Sequence, residues 1–205
     1  VAGGNGTTVV TAPTNMEFTV ASYNLERFFD TVNDPGIGEP VLTATAFANR
    51  LNKASIAIRN HLRFPDVLGI VEMENLTTLQ ALASKISADA IANSQPDPLY
   101  EAFLQEGNDV GGIDVGFLVK KALVDASTPR VSVNAVVQEN AGELFVNPDT
   151  STSLLNDRPS LRLDAVIHHQ NGASFPVTVI VNHLRSLSGI DSETPGTNGW
   201  PTDGA

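Results

Sequence analysis

The chain has 205 residues, a hydrophobic fraction of 41% and a formal net charge of −11 at pH 7. This much apolar sequence supports a folded core and excludes an intrinsically disordered chain. The acidic balance excludes a protein that coats nucleic acid by charge alone, although a few placed cations can still engage phosphate. The absence of cysteine excludes disulfides, thiolate metal sites and cysteine nucleophiles.

The first part of the chain predicts a leader, a strand and two amphipathic helices. Residues 1–15 are rich in Gly, Thr and Asn and are expected to form a flexible leader. Residues 16–24 alternate as a half-buried strand does. Apolar stripes predict helices over residues 43–63 and 77–93, the second with Asn75 as its N-cap. The stripes are Phe47, Leu51, Ala54, Ile58 and Leu62, and then Leu79, Leu82, Ala83, Ile86 and Ala90.

Strand-like runs dominate the rest of the chain. They cover residues 67–72, 100–104, 114–120, 131–138, 161–168 and 175–182. Two early helices and many strands predict an α+β fold, an α/β sandwich of two packed mixed β-sheets flanked by helices. Residues 188–205 show no period and are expected to be loop or a disordered tail. No apolar run reaches the roughly 18 residues that a membrane span requires.

Three polar residues stand at the ends of apolar, strand-like runs: Asn24, Glu72 and His183. In open α/β sheets, ligands bind at the rim formed by strand ends, so these side chains are expected to converge there. Oxygen ligands with one imidazole suit a reaction at phosphate assisted by Mg²⁺ or Ca²⁺ better than a zinc or thiolate site.

Each of these residues also has a purely structural interpretation. Asn24 has the composition of a turn residue or cap, and a single histidine such as His183 is most often packed or on the surface. Glu72 and Glu74 together read equally well as a solvated pair of acids. Of the two, Glu72 is the better ligand candidate because it closes the apolar strand, whereas Glu74 suits a helix N-terminal charge.

Four sequence blocks carry a family resemblance. They are residues 21–30 (Ala-Ser-Tyr-Asn-Leu-Glu-Arg-Phe-Phe-Asp), 65–75 (Pro-Asp-Val-Leu-Gly-Ile-Val-Glu-Met-Glu-Asn), 114–118 (Asp-Val-Gly-Phe-Leu) and 181–186 (Val-Asn-His-Leu-Arg-Ser). In this order they resemble the endonuclease/exonuclease/phosphatase (DNase I-like) superfamily. The resemblance is closest to its bacterial extracellular nuclease-like branch, and it implies that residues 16–187 are the N-terminal part of such a domain.

The resemblance implies a divalent-metal-dependent phosphodiester hydrolase that uses Mg²⁺, or Ca²⁺ or Mn²⁺, and acts on DNA or RNA. It also implies a secreted or periplasmic location. Two alternatives stay open at this point. One is a phosphatase acting on lipid head groups or small phosphates, and the other is a non-catalytic binding module that keeps the fold.

Residue roles follow from the same resemblance. Asn24 is expected to orient the active-site water, metal or phosphate oxygen, Glu72 to hold the metal, and His183 to contact the scissile phosphate. Arg158, which precedes a proline, and Arg185 are expected to bind substrate phosphate.

Arg158 has an alternative that needs no substrate. A loop arginine at this position can pair instead with Asp157 or Asp164.

One departure from the family pattern matters for activity. The family continues with Gly-Asp-x-Asn and Ser-Asp-His blocks, and neither occurs in these 205 residues. The second half of the active site is therefore expected to be missing, and the chain alone should have little or no turnover. Uncovered strands would also favour self-association or pairing with the missing C-terminal half.

Overall fold

The computed structural model describes residues 8–147 and 149–184. Within these ranges the chain forms two α-helices and nine β-strands. The helices are α1 (Ala44–Ile56), which continues into a π-helical turn (Ala57–His61), and α2 (Leu76–Ala92). The strands are β1 (Val20–Phe28), β2 (Val67–Met73), β3 (Tyr100–Leu104), β4 (Asp114–Lys120), β5 (Val131–Gln138), β6 (Leu144–Val146), β7 (Thr152–Leu154), β8 (Leu161–His168) and β9 (Ser174–Val181).

The strands form a central mixed sheet, a second sheet and a small hairpin. The central sheet has the order β1-β2-β4-β3, in which β1 is parallel to β2 and the other neighbours are antiparallel. The second sheet has the order β5-β8-β9 and is antiparallel in its described strands, where the sequence predicts a mixed sheet. Strands β6 and β7 pair with each other. The fold is α+β.

The central sheet is covered on both faces, which explains the unbroken apolar sequence of β2. Leu68 and Ile70 pack into a core formed with α1 and α2. Val67 and Val71, on the opposite face, pack against Leu163 and other residues of the second sheet. The described residues therefore form three layers, with the helices outside, the central sheet in the middle and the second sheet beyond it.

Both predicted helices are present, and both predicted stripes face the helix-side core. The N-cap prediction is confirmed, because the Asn75 side chain accepts a hydrogen bond from the Thr78 N–H at 2.8 Å. Thr43 caps α1 in the same way, accepting from the Ala46 N–H at 3.2 Å. The first helix differs from the expectation at its end, where it changes from α-helical to π-helical geometry after Ile56.

The boundaries of the strands show two further differences. β1 begins at Val20 rather than at residue 16, since the Thr19 N–H donates to the Asp66 carboxylate at 2.9 Å instead of joining the ladder. The sequence gives no signal for β6 and β7, because their side chains are mostly exposed and show no alternation of apolar and polar residues.

The ends of the chain are described only in part. Residues 1–7 of the expected leader and the whole of the expected tail, 188–205, lie outside the described residues. Residues 8–15 form neither helix nor strand, yet the Val10 N–H donates to the His61 carbonyl at 3.0 Å. In the part of the chain that the structure describes, no helix has the length and apolarity needed to cross a membrane.

Gly69 allows the second sheet to approach the central one closely. A Cβ atom at Gly69 would lie 3.3 Å from Cγ2 of Val181, at the end of β9. Two residues after this contact the chain reaches His183, so the close approach determines where that imidazole lies relative to β2.

A side chain at Gly69 should therefore push the sheets apart. We expect Gly69→Leu to lower the free energy of unfolding by about 1–3 kcal/mol through overpacking, measured by urea denaturation. The control is Gly142→Leu, since no atom lies within 4 Å of a Cβ built there, and its effect should stay within about 0.5 kcal/mol. Equal effects of the two substitutions would contradict this account of the packing.

A buried ion pair joins the two sheets at their other end. Asp66 is 3% exposed, and its carboxylate accepts from Nε and Nη2 of Arg130 at 3.1 and 3.0 Å. Lys120 Nζ lies 3.3 Å from the same carboxylate, and Arg130 also donates to the His168 carbonyl at 2.8 Å. Burial alone would raise the pKa of Asp66, but these partners and the Thr19 N–H outweigh it and hold the pKa below its usual range.

Removing the arginine should be costly because it leaves a buried carboxylate without its main partner. We expect Arg130→Met to lower the free energy of unfolding by about 3–5 kcal/mol. The matched control is Arg162→Met, which removes a one-third-exposed arginine paired with Glu139 and Asp164 and should have a much smaller effect. Denaturation curves at pH 7 measure both, and a small loss for Arg130→Met would refute the proposed importance of the pair.

Candidate functional site

The polar residues that end β1 and β2 meet at one rim of the central sheet. The two strands are parallel, and Asn24 pairs with Val71, the residue before Glu72. Asn24 Nδ2 donates a hydrogen bond to Glu72 Oε1 at 2.8 Å. The expected convergence of this carboxamide and this carboxylate is therefore present.

The backbone at this rim adopts conformations that side-chain-bearing residues rarely use. Glu72 has φ = 64°, and Glu26 and Arg27 have φ = 58° and 54°, at irregularities that interrupt the ladder between β1 and β2. These conformations are held by local hydrogen bonds. The Arg27 N–H donates to Glu72 Oε2 at 2.8 Å, and the Glu26 N–H donates to Asn24 Oδ1 at 2.7 Å.

Helix α1 supports the irregular segment from outside. The guanidinium of Arg50 donates to the carbonyl of Leu25 at 2.9 Å and also to the carbonyl of Glu26. Arg50 lies outside the apolar stripe that predicts this helix, so sequence reasoning misses its role, as it misses the role of the Arg27 N–H. The sequence signals neither contact. Nearly every residue has a backbone N–H like that of Arg27, and Arg50 contacts main-chain carbonyls, which every residue carries.

His183 completes the group from the second sheet. Its Nε2 lies 3.4 Å from Glu72 Oε1, and its side chain is 13% exposed. Burial, and then the nearby charge of Arg158, lower the pKa of His183 below its usual value, against the opposing effect of Glu72. The imidazole is therefore largely neutral at neutral pH. Its Nδ1 is buried without a hydrogen-bond partner among the described residues.

Of the two arginines expected to bind phosphate, the structure describes Arg158 alone. The guanidinium of Arg158 donates to Asp109 Oδ2, so its side-chain partner is neither Asp157 nor Asp164, the two that the sequence alternative suggests. The positive charge of Arg158 contributes to the lowered pKa of His183. Arg185 lies outside the described residues.

Further carboxyl groups lie near the same end of the central sheet. Asp114, which pairs with Met73, is 4% exposed, and burial together with neighbouring Glu106 raises its pKa to about 7. Glu74 does not join Glu72. Burial and the charges of nearby acids raise the pKa of Glu74 to about 7, and its Oε2 accepts from the Asp30 N–H at 2.7 Å.

Two of the remaining histidines, His168 and His169, serve structural contacts. His169 is 7% exposed and its Nδ1 lies 3.2 Å from Arg130 Nη1, while His168 Nε2 lies 3.0 Å from the Ser132 hydroxyl. Both follow or end β8, which is antiparallel to β9, and they therefore stand at the opposite end of the second sheet from His183.

The described residues at the rim do not form an enclosed metal cage. In the described ranges, no three His, Asp or Glu side chains are placed to hold one metal ion. An ionised carboxylate has about four acceptor positions, and Glu72 uses two of them on Asn24 Nδ2 and the Arg27 N–H, while His183 Nε2 lies 3.4 Å from Oε1. Since Mg²⁺ commonly takes one or two carboxylates and completes its shell with water and substrate phosphate, Glu72 can serve as its single protein ligand.

In comparisons with known proteins, the chain matches no protein-family model, no curated protein and no solved structure.

The hydrogen bond from Arg27 to Glu72 can be tested by amide exchange. In Glu72→Ala the Arg27 amide loses its acceptor, so we expect its hydrogen exchange to accelerate about tenfold or more, as loss of a bond worth about 1.4 kcal/mol implies. The internal control is the Asp30 amide, which donates to Glu74 and should keep its rate. An unchanged Arg27 rate in the variant, measured by NMR, would contradict the geometry.

Proposed function

We propose that the chain carries the metal-binding half of a divalent-metal-dependent phosphodiester hydrolase, a nuclease acting on DNA or RNA. The observation that supports this is the shared Glu72 carboxylate, which Asn24 and His183 contact from two different sheets. The four sequence blocks that resemble the endonuclease/exonuclease/phosphatase superfamily contain all three residues. A secreted or periplasmic location belongs to the same proposal.

Each side chain at the rim has a task in such a reaction. Glu72 would hold Mg²⁺, and when bound the ion supplies charge neutralisation at a phosphate oxygen. Asn24 and the Arg27 N–H keep the carboxylate at the rim. When a phosphodiester binds, the Nε2–H of neutral His183 would exchange its contact with Glu72 for a phosphate oxygen, and the guanidinium of Arg158 would contact a second oxygen of the same group.

The rim is nevertheless poor in groups that activate water. His183 already contacts Glu72, and His168 and His169 contact elements away from the rim. Metal binding should also be weak, because one carboxylate provides few of the six ligands that Mg²⁺ needs. We therefore expect binding of a phosphodiester to be easier to observe than turnover in these residues alone.

A second candidate is hydrolysis of a small phosphoester, such as a lipid head group. The net charge of −11 and the acids near the rim favour it, since an extended polyanion would be repelled more strongly than a single phosphate. The same rim residues would serve both reactions. The substrates separate the two functions, so the test compares a short oligonucleotide with an inositol phosphate.

The test is the magnesium dependence of ligand binding. We expect Mg²⁺ to tighten the binding of a fluorescein-labelled DNA oligonucleotide about tenfold or more, corresponding to about 1.4 kcal/mol, measured by fluorescence anisotropy. Glu72→Gln keeps the size of the side chain, removes its charge and should abolish this increase. The control, Glu101→Gln, changes a half-exposed acid on β3 and should leave the increase intact.

The other possible results of this binding experiment would contradict the proposed metal ligand or change the proposed substrate. Binding that Mg²⁺ does not affect, or an increase that survives Glu72→Gln, would contradict the proposed metal ligand and favour a non-catalytic binding module. If an unlabelled inositol phosphate competes with the oligonucleotide at far lower concentration than free nucleotides do, the small-phosphoester function replaces the nuclease.

A further inference from the structure

The lysines and arginines of this acidic chain are unevenly compensated by acids. Most of those in the described ranges form an ion pair with Asp or Glu. The exceptions within these ranges are Arg27, Arg50, Lys53 and Arg63. The first three lie in or beside the irregular segment that ends β1. A chain with a net charge of −11 therefore leaves uncompensated positive charge next to the rim.

Arg50 and Lys53 line a cleft between α1 and the end of β1, which we call the cationic cleft. Its lining also includes Tyr23, Asn24 and Glu26, and its volume is about 160 Å³. One water needs only about 10–15 Å³ of such space, so the cleft has room for a phosphate group together with water. Arg50 and Lys53 are three residues apart on α1, and their side chains therefore reach the same side of the helix.

Both cations keep hydrogen-bond donors for a ligand. Arg50 donates through Nη2 to the carbonyls of Leu25 and Glu26, while its Nε and Nη1 donate to none of the described residues. The guanidinium carbon lies 5.3 Å from the centre of the Phe28 ring, which helps to hold the group in place. Lys53 is exposed and its ammonium contacts no acid in the described ranges. A positioned guanidinium and an ammonium with free donors suit an anion that has several oxygens.

The rest of the lining leaves the cationic cleft positively charged. Burial raises the pKa of the Tyr23 hydroxyl, so this residue keeps its proton at neutral pH and adds no negative charge. Glu26 is the acid of the lining, and it forms no ion pair with either cation. Its charge opposes an anion in the cleft, but two cations outweigh it.

Asn24 connects the cationic cleft with the rim. It lines the cleft, and its Nδ2 donates to Glu72 Oε1 at 2.8 Å. The cleft and the proposed metal ligand are thus neighbours of the same residue of β1. A single phosphate cannot occupy both places at once, whereas a strand that carries a phosphate at every nucleotide can.

We infer that the cationic cleft binds a second phosphate of the nucleic-acid strand whose scissile phosphate is held at the rim, an assignment that rests on the proposed function. A guanidinium fits phosphate oxygens by paired hydrogen bonds, and an ammonium contacts them as a point charge. Contacts of this kind position the strand and add affinity without reading its bases. They also offset locally the repulsion that the net charge of −11 imposes on a polyanion.

The salt dependence of strand binding tests the inference. Lys53 is the residue to change, because Arg50 also holds the backbone of the irregular segment. We measure binding of a fluorescein-labelled single-stranded DNA oligonucleotide by fluorescence anisotropy, with EDTA and again with Mg²⁺. Lys53→Gln should weaken binding about fivefold or more in about 50 mM NaCl. The slope of log affinity against log salt concentration should become shallower by about 0.7, as loss of one phosphate contact on a single strand implies.

Two further variants give this experiment its controls. Arg63→Gln removes one positive charge from an exposed arginine that also has no acid partner in the described ranges, beyond the π-helical turn that follows α1. It should change the affinity and the slope much less than Lys53→Gln does. Glu26→Gln removes the opposing charge from the cationic cleft and should tighten binding.

Equal effects of Lys53→Gln and Arg63→Gln would overturn the inference, since overall charge alone would then explain the loss. So would absence of oligonucleotide binding by the unaltered chain both with EDTA and with Mg²⁺. Failure of the proposed metal ligand gives a different result. Lys53→Gln should leave the ratio of the affinities with and without Mg²⁺ unchanged, whereas Glu72→Gln should bring that ratio to about one. A magnesium effect that survives Glu72→Gln contradicts the metal ligand, and a Lys53→Gln loss in the same experiment would still support the cleft.

Discussion

The carboxylate of Glu72 reaches the rim because the backbone departs from regular strand geometry at that residue. Leu68 and Ile70 point into the helix-side core, and continued alternation would direct Glu72 into the same apolar core. Its φ of 64° breaks the alternation, and Met73 then takes the buried position. The strain of this conformation is smaller than the cost of burying an unpaired charge.

The same residue connects the two sheets, but it could not do so if they were farther apart. At one end, Gly69 admits Val181 to within van der Waals contact of β2, and His183 follows two residues later. At the other end, the ion pair of Asp66 and Arg130 joins the central sheet to β5. An apolar contact near the site and a buried ion pair far from it together define the position of β9.

Acidic residues at this end of the molecule occupy two different environments. Glu72 is surrounded by a carboxamide, a backbone N–H and an imidazole, so its charge is compensated by local donors. The buried acids Glu39 and Glu74 accept from neutral N–H groups through one oxygen each, and their other oxygens accept no hydrogen bond from the described residues. This contrast is the reason for placing the proposed phosphate chemistry at Glu72.

The sequence by itself determined the two helices, most of the strands and the candidate residues, and the tertiary structure decided how those residues are connected. Stripes such as that of Leu79 and Leu82, the cap at Asn75 and the apolar runs of the strands depend on local spacing, which sequence reveals directly. The exposed β6 and β7 lack that periodicity. The bond from the Arg27 N–H to Glu72 and the pairing of Arg158 with Asp109 gave no advance signal, because they join backbone and side-chain atoms whose distances depend on packing between layers.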